Sequence, residues 1–267
     1  MAPATFLALA RAGFRRWSAY RQATVAAAFT NTIFGFLRTY VLLAAAAGAG
    51  GIAAGYDAPM LVSYVWLGQG MIGVVGIWGD FELADRVRTG EVTADLLRPV
   101  DPVTAYLAAD LGRAGHGMLI RFVAPVLVAA LVFDMFTPRH LASYPLFAAS
   151  VLAAVVVCFG FRYLTNLAAF WLLDLRGVRN AWLLGSTVLS GLVFPIRFLP
   201  DWAHLLLWLG TPFPAMLQAP LDVFVEYGGL DGQLLALADQ VAWAVAGLAL
   251  CRLVQHRAVR RLVIQGG

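Results

Sequence analysis

Residues 59–102 read PMLVSYVWLGQGMIGVVGIWGDFELADRVRTGEVTADLLRPVDP, and the two halves of this stretch follow different rules. From 59 to 78 there is no charged residue. Some 20 such residues are enough for a helix to cross the bilayer core. From 80 to 103 six acids (Asp80, Glu82, Asp85, Glu91, Asp95, Asp101) face three arginines (Arg86, Arg88, Arg98). Phe81, Leu83, Ala84 and Val87 suit a short amphipathic helix, and Gly90 breaks it. Thr93 is positioned to cap a second short turn ending at Leu96-Leu97, which Arg98-Pro99 stops. Asp101 as N-cap and Pro102 at the first helical position then open another apolar helix running towards Asp134. The reading is a span, a polar helix–turn–helix over 80–99, and a second span. A soluble partner could grip such an element through apolar anchors and flanking charges. A solvated connector is the plainer alternative.

The rest of the chain fits a membrane setting. Of 267 residues, 61% are hydrophobic and only 13% charged. Soluble domains carry about 25% charged residues. Further spans are expected over 24–47, 145–173, 180–197 and 234–256, giving six in all. Residues 4–20 place Phe6, Leu9, Ala10, Phe14, Trp17 and Tyr20 at three- and four-residue steps. That pattern suits an interfacial helix, or an extension of the first span.

Every one of the 19 basic residues is arginine. A phosphate-binding P-loop and a Schiff-base site both need lysine, so neither is expected. Thirteen arginines fall in the N-terminus, the 79–103 loop, the 174–180 loop and the C-terminus, whereas the opposite loops hold only Arg139 and Arg197. The positive-inside rule then places both termini in the cytoplasm. Cys158 and Cys251 lie in apolar runs and are expected as buried small hydrophobes. The four histidines form no ligand spacing, and no catalytic constellation can be assembled. No metal site and no cofactor are expected in this chain.

Close packing is written as Gly70, Gly73, Gly76 and Gly79 in the second span, and as Ser186/Ser190 and Thr187/Gly191 in the fifth. Such faces serve contacts within the chain or between subunits. Arg38, Arg121 and Arg162 fall well inside spans one, three and four. An arginine at that depth costs at least about 2.5–3.5 kcal/mol, so it faces protein or water. Asp239 is the clearest acid at similar depth. The four are candidates for a substrate pathway; snorkelling or pairing with a neighbouring chain are the alternatives. Gln69 and Asn166 are read first as links between helices.

Residues 195–222 hold Pro195, Pro200, Pro212, Pro214 and Pro220. Asp201 is positioned to cap a short helix through Leu209, ended by Gly210, and Thr211-Pro212 to open another. A helix of about nine residues, roughly 14 Å long, cannot span a bilayer. Two short helices dipping back from the outer face are expected, with an apolar surface loop as the alternative.

Together these parts resemble the permease subunits of bacterial ABC exporters of the type-2 class, over nearly the whole chain. The resemblance is carried by the N-terminal interfacial helix, by Arg88-Thr89-Gly90-Glu91 through Leu96-Leu97-Arg98-Pro99 after span two, and by Phe194-Pro195 to Pro220-Leu221 before span six. It implies an all-α, six-span permease domain over 1–267. It implies that the 80–99 loop is the coupling helix of a separate ABC ATPase subunit that binds ATP and Mg. Glu82, Asp85, Arg86, Arg88, Gly90, Glu91, Leu97 and Arg98 are then the coupling candidates. It further implies an outer gate built on Pro195, Pro200, Trp202, Pro212, Pro214 and Pro220. A second permease subunit, identical or paralogous, and the bacterial plasma membrane complete the expectation. The cargo class is a small or amphipathic, lipid-like molecule. A free-standing secondary transporter driven by an ion gradient is the second reading, with Asp239 as its one coupling residue.

Overall fold

The computed structural model describes residues 2–19, 21–79, 81–172 and 174–261. Tyr20 and Asp80, assigned above to the interfacial helix and the polar loop, lie outside the described residues. Thirteen α-helices follow in chain order: α1 (Pro3–Ser18), α2 (Arg21–Gly48), α3 (Ala58–Met71), α4 (Glu82–Thr89), α5 (Val92–Leu96), α6 (Pro102–His116), α7 (Val123–Val132), α8 (Ser143–Leu167), α9 (Arg176–Leu189), α10 (Asp201–Gly210), α11 (Phe213–Met216), α12 (Gln218–Phe224) and α13 (Gly229–Val259). A π-helical turn, Ile72–Gly76, prolongs α3, and another, Gly117–Phe122, joins α6 to α7 without a break.

Caps start the helices where the sequence places them. Asp57 accepts from the Met60 backbone N–H at 2.9 Å and opens α3. Asp101 accepts from Thr104 N–H at 3.0 Å and opens α6, with Pro102 in its first turn. Gly90 closes α4 in the left-handed region (φ +79°), which a side chain rarely adopts. Other caps differ. Glu91 precedes α5, and Thr93 lies inside it, donating to the Gly90 carbonyl at 2.8 Å. Pro200 precedes α10, so Asp201 is its first residue. Thr211 closes α10, donating from Oγ1 to the Leu207 carbonyl at 2.8 Å, and Pro212 is the N-cap of α11.

Among the described residues five helical segments are long and apolar enough to cross a membrane: Thr24–Gly48, Ala58–Gly76, Pro102–Val132, Ser143–Phe170 and Gly229–Val259. The span expected over 180–197 is different. α9 has 14 residues, about 21 Å at 1.5 Å per residue. It ends at Leu189, and Gly191 turns the chain at φ +86°. A Cβ at Gly191 would press on the Tyr64 hydroxyl and the Gln218 side chain, both 2.5 Å away, so the turn is built around a contact that only glycine admits.

Burial is inverted relative to a water-soluble fold. Phe29, Leu37, Tyr40 and Val41 of α2, Leu184 of α9, and Leu235 and Val245 of α13 are exposed. Asn31, Ser63, Gln69, Ser150, Ser186 and Gln240 are buried. Lipid tolerates the first set, and helix-to-helix hydrogen bonds hold Asn31, Ser150 and Gln240 of the second. Gln240 accepts from the Ser150 hydroxyl at 2.6 Å and donates to the Ala215 carbonyl at 2.8 Å, tying α13 to α8 and α11. α11 and α12 are buried against α3, α8 and α13.

The glycine stripe of α3 packs within the chain. A Cβ at Gly70 would meet Phe122, and one at Gly117 would meet the Gly73 carbonyl oxygen at 2.7 Å. The two π-helical turns therefore touch backbone to backbone. α1 lies along α6 in the same way: a Cβ at Gly112 would overlap the Ala10 carbonyl, and one at Gly13 the Ala109 carbonyl. At the other end of the bundle Glu226 accepts from the Ser143 hydroxyl at 2.7 Å and from His140 N–H at 2.8 Å. Burial opposes its charge, but these bonds hold its carboxyl below the ordinary range.

Two predictions follow from this packing. Gly112→Val should release α1 from α6, read as faster backbone hydrogen exchange over 3–18 and a lower Tm. Gly115→Ala, whose Cβ would find Phe14 at a comfortable 3.8 Å, should leave both unchanged. Because the Glu226 carboxyl is depressed, its tie to 140–143 should persist above the ordinary carboxylate range and fail only as pH falls through its lowered pKa. Exchange at His140 N–H should rise there, and Glu226→Gln should abolish that pH step.

Candidate functional site

The last carbonyls of a helix have no partner inside it. In lipid they cannot turn to water. The π-helical turn that ends α3 leaves Gly73, Val74 and Val75 in this position, Gly76 O accepts from Gly79 N–H at 3.0 Å, and two arginines from other spans meet all four. Arg113 donates to Gly73 O at 2.9 Å, Val74 O at 3.1 Å and Val75 O at 3.2 Å. Arg162 donates to Gly76 O at 2.7 Å. Both guanidiniums are buried, at 7% and 5% exposure. Asp110 joins them, accepting from Arg113 at 2.7 Å and from Arg162 at 2.6 Å. Positive charge at a helix C-terminus also complements its dipole.

The joint continues into the polar loop. Trp182 of α9 donates to Ile77 O at 2.9 Å. Asn166 donates to Arg162 O at 2.9 Å and accepts from Ala84 N–H at 3.0 Å, so α8 holds the first turn of α4. Asn166 is thus the helix link the sequence suggested. Gln69 is linked through its backbone, which accepts from Asn31 at 3.1 Å.

The coupling candidates separate into two sets. Glu82 pairs with Arg16 of α1 at 2.5 Å, and Asp85 with Arg179 of α9 at 2.7 Å. Arg86 pairs with Asp95 at 2.8 Å and more loosely with Glu91 at 3.6 Å. Asp95 also accepts from Tyr106 at 2.9 Å. Desolvation works against the Arg86 charge, but the hydrogen bond and attraction of Asp95 raise its pKa above the ordinary value. These residues brace α4, α5, α1, α6 and α9 as one body. Arg88, Gly90, Leu97 and Arg98 form the free tip. Leu97 is 85% exposed, and Arg98 keeps only a 3.6 Å contact with Asp95.

The proline-rich stretch is organised by a buried polar network. Asp222 accepts from Tyr56, from Gln218 at 2.8 Å and from Arg197 at 2.8 Å. Arg197 stacks over Trp208 and Tyr227, at 5.0 and 4.0 Å from the ring centres. Pro195 precedes the short turn Ile196–Phe198, Pro200 and Pro212 precede α10 and α11, and Pro214 and Pro220 are buried within α11 and α12. Trp202 stands apart on the exposed face of α10, at 72% exposure.

Of the four candidate pathway residues, Arg121 and Arg162 line one cavity, and Arg38 and Asp239 are not part of it. Arg162 is paired, and its acid is Asp110, not Asp239. Arg38 donates to Leu192 O at 2.8 Å, at the end of the α9 segment. Asp239 is half-buried with Oδ2 unpartnered. Arg121 lies over Trp17, 5.5 Å from the ring centre, and its Nε has no partner. Asp110 and Arg113 were missed in the sequence. The signal was an Asp-x-x-Arg pair inside an otherwise apolar helix, which puts both side chains on one face. Cys158 and Cys251 are buried and free, as expected.

A family model described as "ABC-2 family transporter protein" matches residues 29–266. No curated protein and no solved structure matches the chain.

Asp110→Asn should remove the carboxylate that the buried Arg113 and Arg162 guanidiniums share. Breaking a buried pair costs about 3–5 kcal/mol, so the expected result is a clear fall in Tm in detergent and new protease sensitivity at 81–99. Asp239→Asn, which removes no ion pair, should leave both unchanged.

Proposed function

The chain belongs to the ABC-2 family of transporter proteins, and on that premise we propose that it is the permease subunit of an ATP-driven exporter. ATP and Mg would be bound by a separate ABC ATPase subunit. That ATPase would dock on the α4–α5 tip, with Leu97 entering an apolar pocket and Arg88 and Arg98 meeting acids at its rim. The observation that carries this reading is the contrast within one short hairpin. Its root is tied by ion pairs and hydrogen bonds to α1, α6, α8 and α9, while its tip presents the exposed Leu97 and Arg88, with Arg98 held only by a 3.6 Å contact to Asp95. A rigid root with an uncommitted tip is what a lever needs.

In this reading two permease subunits, identical or paralogous, pair in the bacterial plasma membrane with six spans each and both termini cytoplasmic. α9 and the residues after it, through Phe198, complete the crossing. ATP-driven closure of the ATPases pushes the α4–α5 tip, and the braced root carries that push to the inner ends of α3 and α8. α10–α12 form the outer gate. The cargo is a small or amphipathic, lipid-like molecule. A free-standing secondary transporter is favoured only by the Asp239 carboxylate, one oxygen of which has no partner among the described residues.

The test is co-purification of a P-loop ATPase with the tagged chain from its native membrane. Leu97→Glu combined with Arg88→Glu should lower ATPase recovery by roughly tenfold or more, with Tm unchanged because both side chains are exposed. Glu82→Gln with Asp85→Asn should keep the ATPase but lower transport per ATP, since it loosens the root alone. Undiminished ATPase recovery in the tip variant would overturn the docking assignment. Gradient-driven uptake by the purified chain without ATP would favour the second reading.

A further inference from the structure

Beside the arginine joint lies a cavity of about 220 Å³. It is walled by α1 at Trp17, α2 at Ala27 and Asn31, the end of α3, and the α6–α7 segment at His116 and Arg121. These are the ends of α2 and α3 on the side of the polar loop. The cavity therefore lies at the end of these spans nearest the polar loop. Its volume falls below the roughly 300–1,000 Å³ of pockets that enclose drug-sized ligands. It has room for roughly seven waters at about 30 Å³ each, the scale of one polar headgroup.

Its charge is unbalanced. Arg113, Arg121 and Arg162 line it, and no acid among the described residues does. Asp110, outside the wall, is shared by Arg113 and Arg162. The C-terminal dipole of α3 offsets roughly half a further charge. Arg121 adds a full positive charge with no acid within ion-pair reach among the described residues. Its Nε is shielded from solvent and unbonded. His116, 6% exposed, packs edge-on against Phe14 and makes no hydrogen bond among the described residues. A shielded cationic cavity with unused donors asks for an anion. The rim tells what brings it: Leu119, Ile120 and Val123, flanking Arg121, are exposed and apolar, a surface for acyl chains.

We propose that this cavity is a binding site for an anionic phosphate group, with Arg121 as its principal ligand, His116 as a second donor and Trp17 as its wall. Such a phosphate reaches the cavity on a phospholipid headgroup or as free phosphate. Either one bridges α1, α2 and the α6–α7 segment at the point where the two π-helical turns meet.

The test is native mass spectrometry of the detergent-purified full chain, titrated with phosphatidylglycerol or phosphatidylcholine. One phosphatidylglycerol should bind with clear preference, and Arg121→Gln should weaken it roughly tenfold or more, Arg121→Lys less. Ala27→Glu, which brings a carboxylate to the wall, should also displace the lipid while raising Tm. This second variant keeps the test valid if Arg121→Gln folds poorly. Lipid that survives millimolar inorganic phosphate identifies the headgroup as the source; lipid displaced by it identifies free phosphate. Equal binding of the two lipids by the unmodified chain, or binding unchanged in both Arg121→Gln and Ala27→Glu, would overturn the proposal.

Discussion

A helix that ends inside a membrane leaves four carbonyls with nowhere to go, and α3 ends this way. Each unsatisfied polar group in hydrocarbon costs several kcal/mol. Five hydrogen bonds from Arg113, Arg162 and Trp182 remove that cost over Gly73–Ile77. The remedy creates a second problem, because two guanidiniums are now buried. Asp110 answers it with one carboxylate bonded to both. Burial of the ion cluster and termination of α3 are therefore one event. Neither would be tolerable without the other.

The arrangement has a mechanical consequence. The groups that terminate α3 come from α6, α8 and α9, so the polar loop that follows starts from a point fixed by three other helices. Asn166 extends that fixation into α4 through Ala84. Glu82 and Asp85 add ties to α1 and α9. Surface ion pairs of this kind contribute little stability singly. Their value here is geometric, since each holds a different helix at a set distance from the hairpin. Force applied at Leu97 reaches the bundle through bonded contacts.

Much of this was legible in the sequence, and the reasons are local. Asp101, Gly90 and Pro102 set helix ends within a few residues, and hydropathy set the five long spans. The polar loop was legible because caps and breakers alternate over a short range. Thr93 and Asp201 were misplaced by a few residues, since a capping side chain competes with its neighbours for the same role. The partner of Arg162 was illegible: Asp110 lies 52 residues away, and hydropathy treats Asp-x-x-Arg as a blemish in an apolar run. The length of α9 was hidden too. Gly191 ends it because of a contact with Tyr64 and Gln218, and no local pattern announces that.

The same rule that governs α3 accounts for the other buried polar side chains. The turn after α9 leaves the Ser190, Gly191 and Leu192 carbonyls, which accept from Gln218 N–H at 2.9 Å, the Tyr64 hydroxyl at 2.7 Å and Arg38 at 2.8 Å. The short helices α11 and α12 offer the Ala215 and Val223 carbonyls, which accept from Gln240 and Gln233 of α13, both at 2.8 Å. Long donor side chains on long helices thus complete the short helices that cannot complete themselves. Arg38, Arg113 and Arg162 are all committed to this task. The arginines of the spans are accordingly structural donors first, and their depth in the membrane follows from where neighbouring helices stop. Arg121 is the exception. Its Nε has no partner among the described residues, and its charge faces the cavity beside the joint.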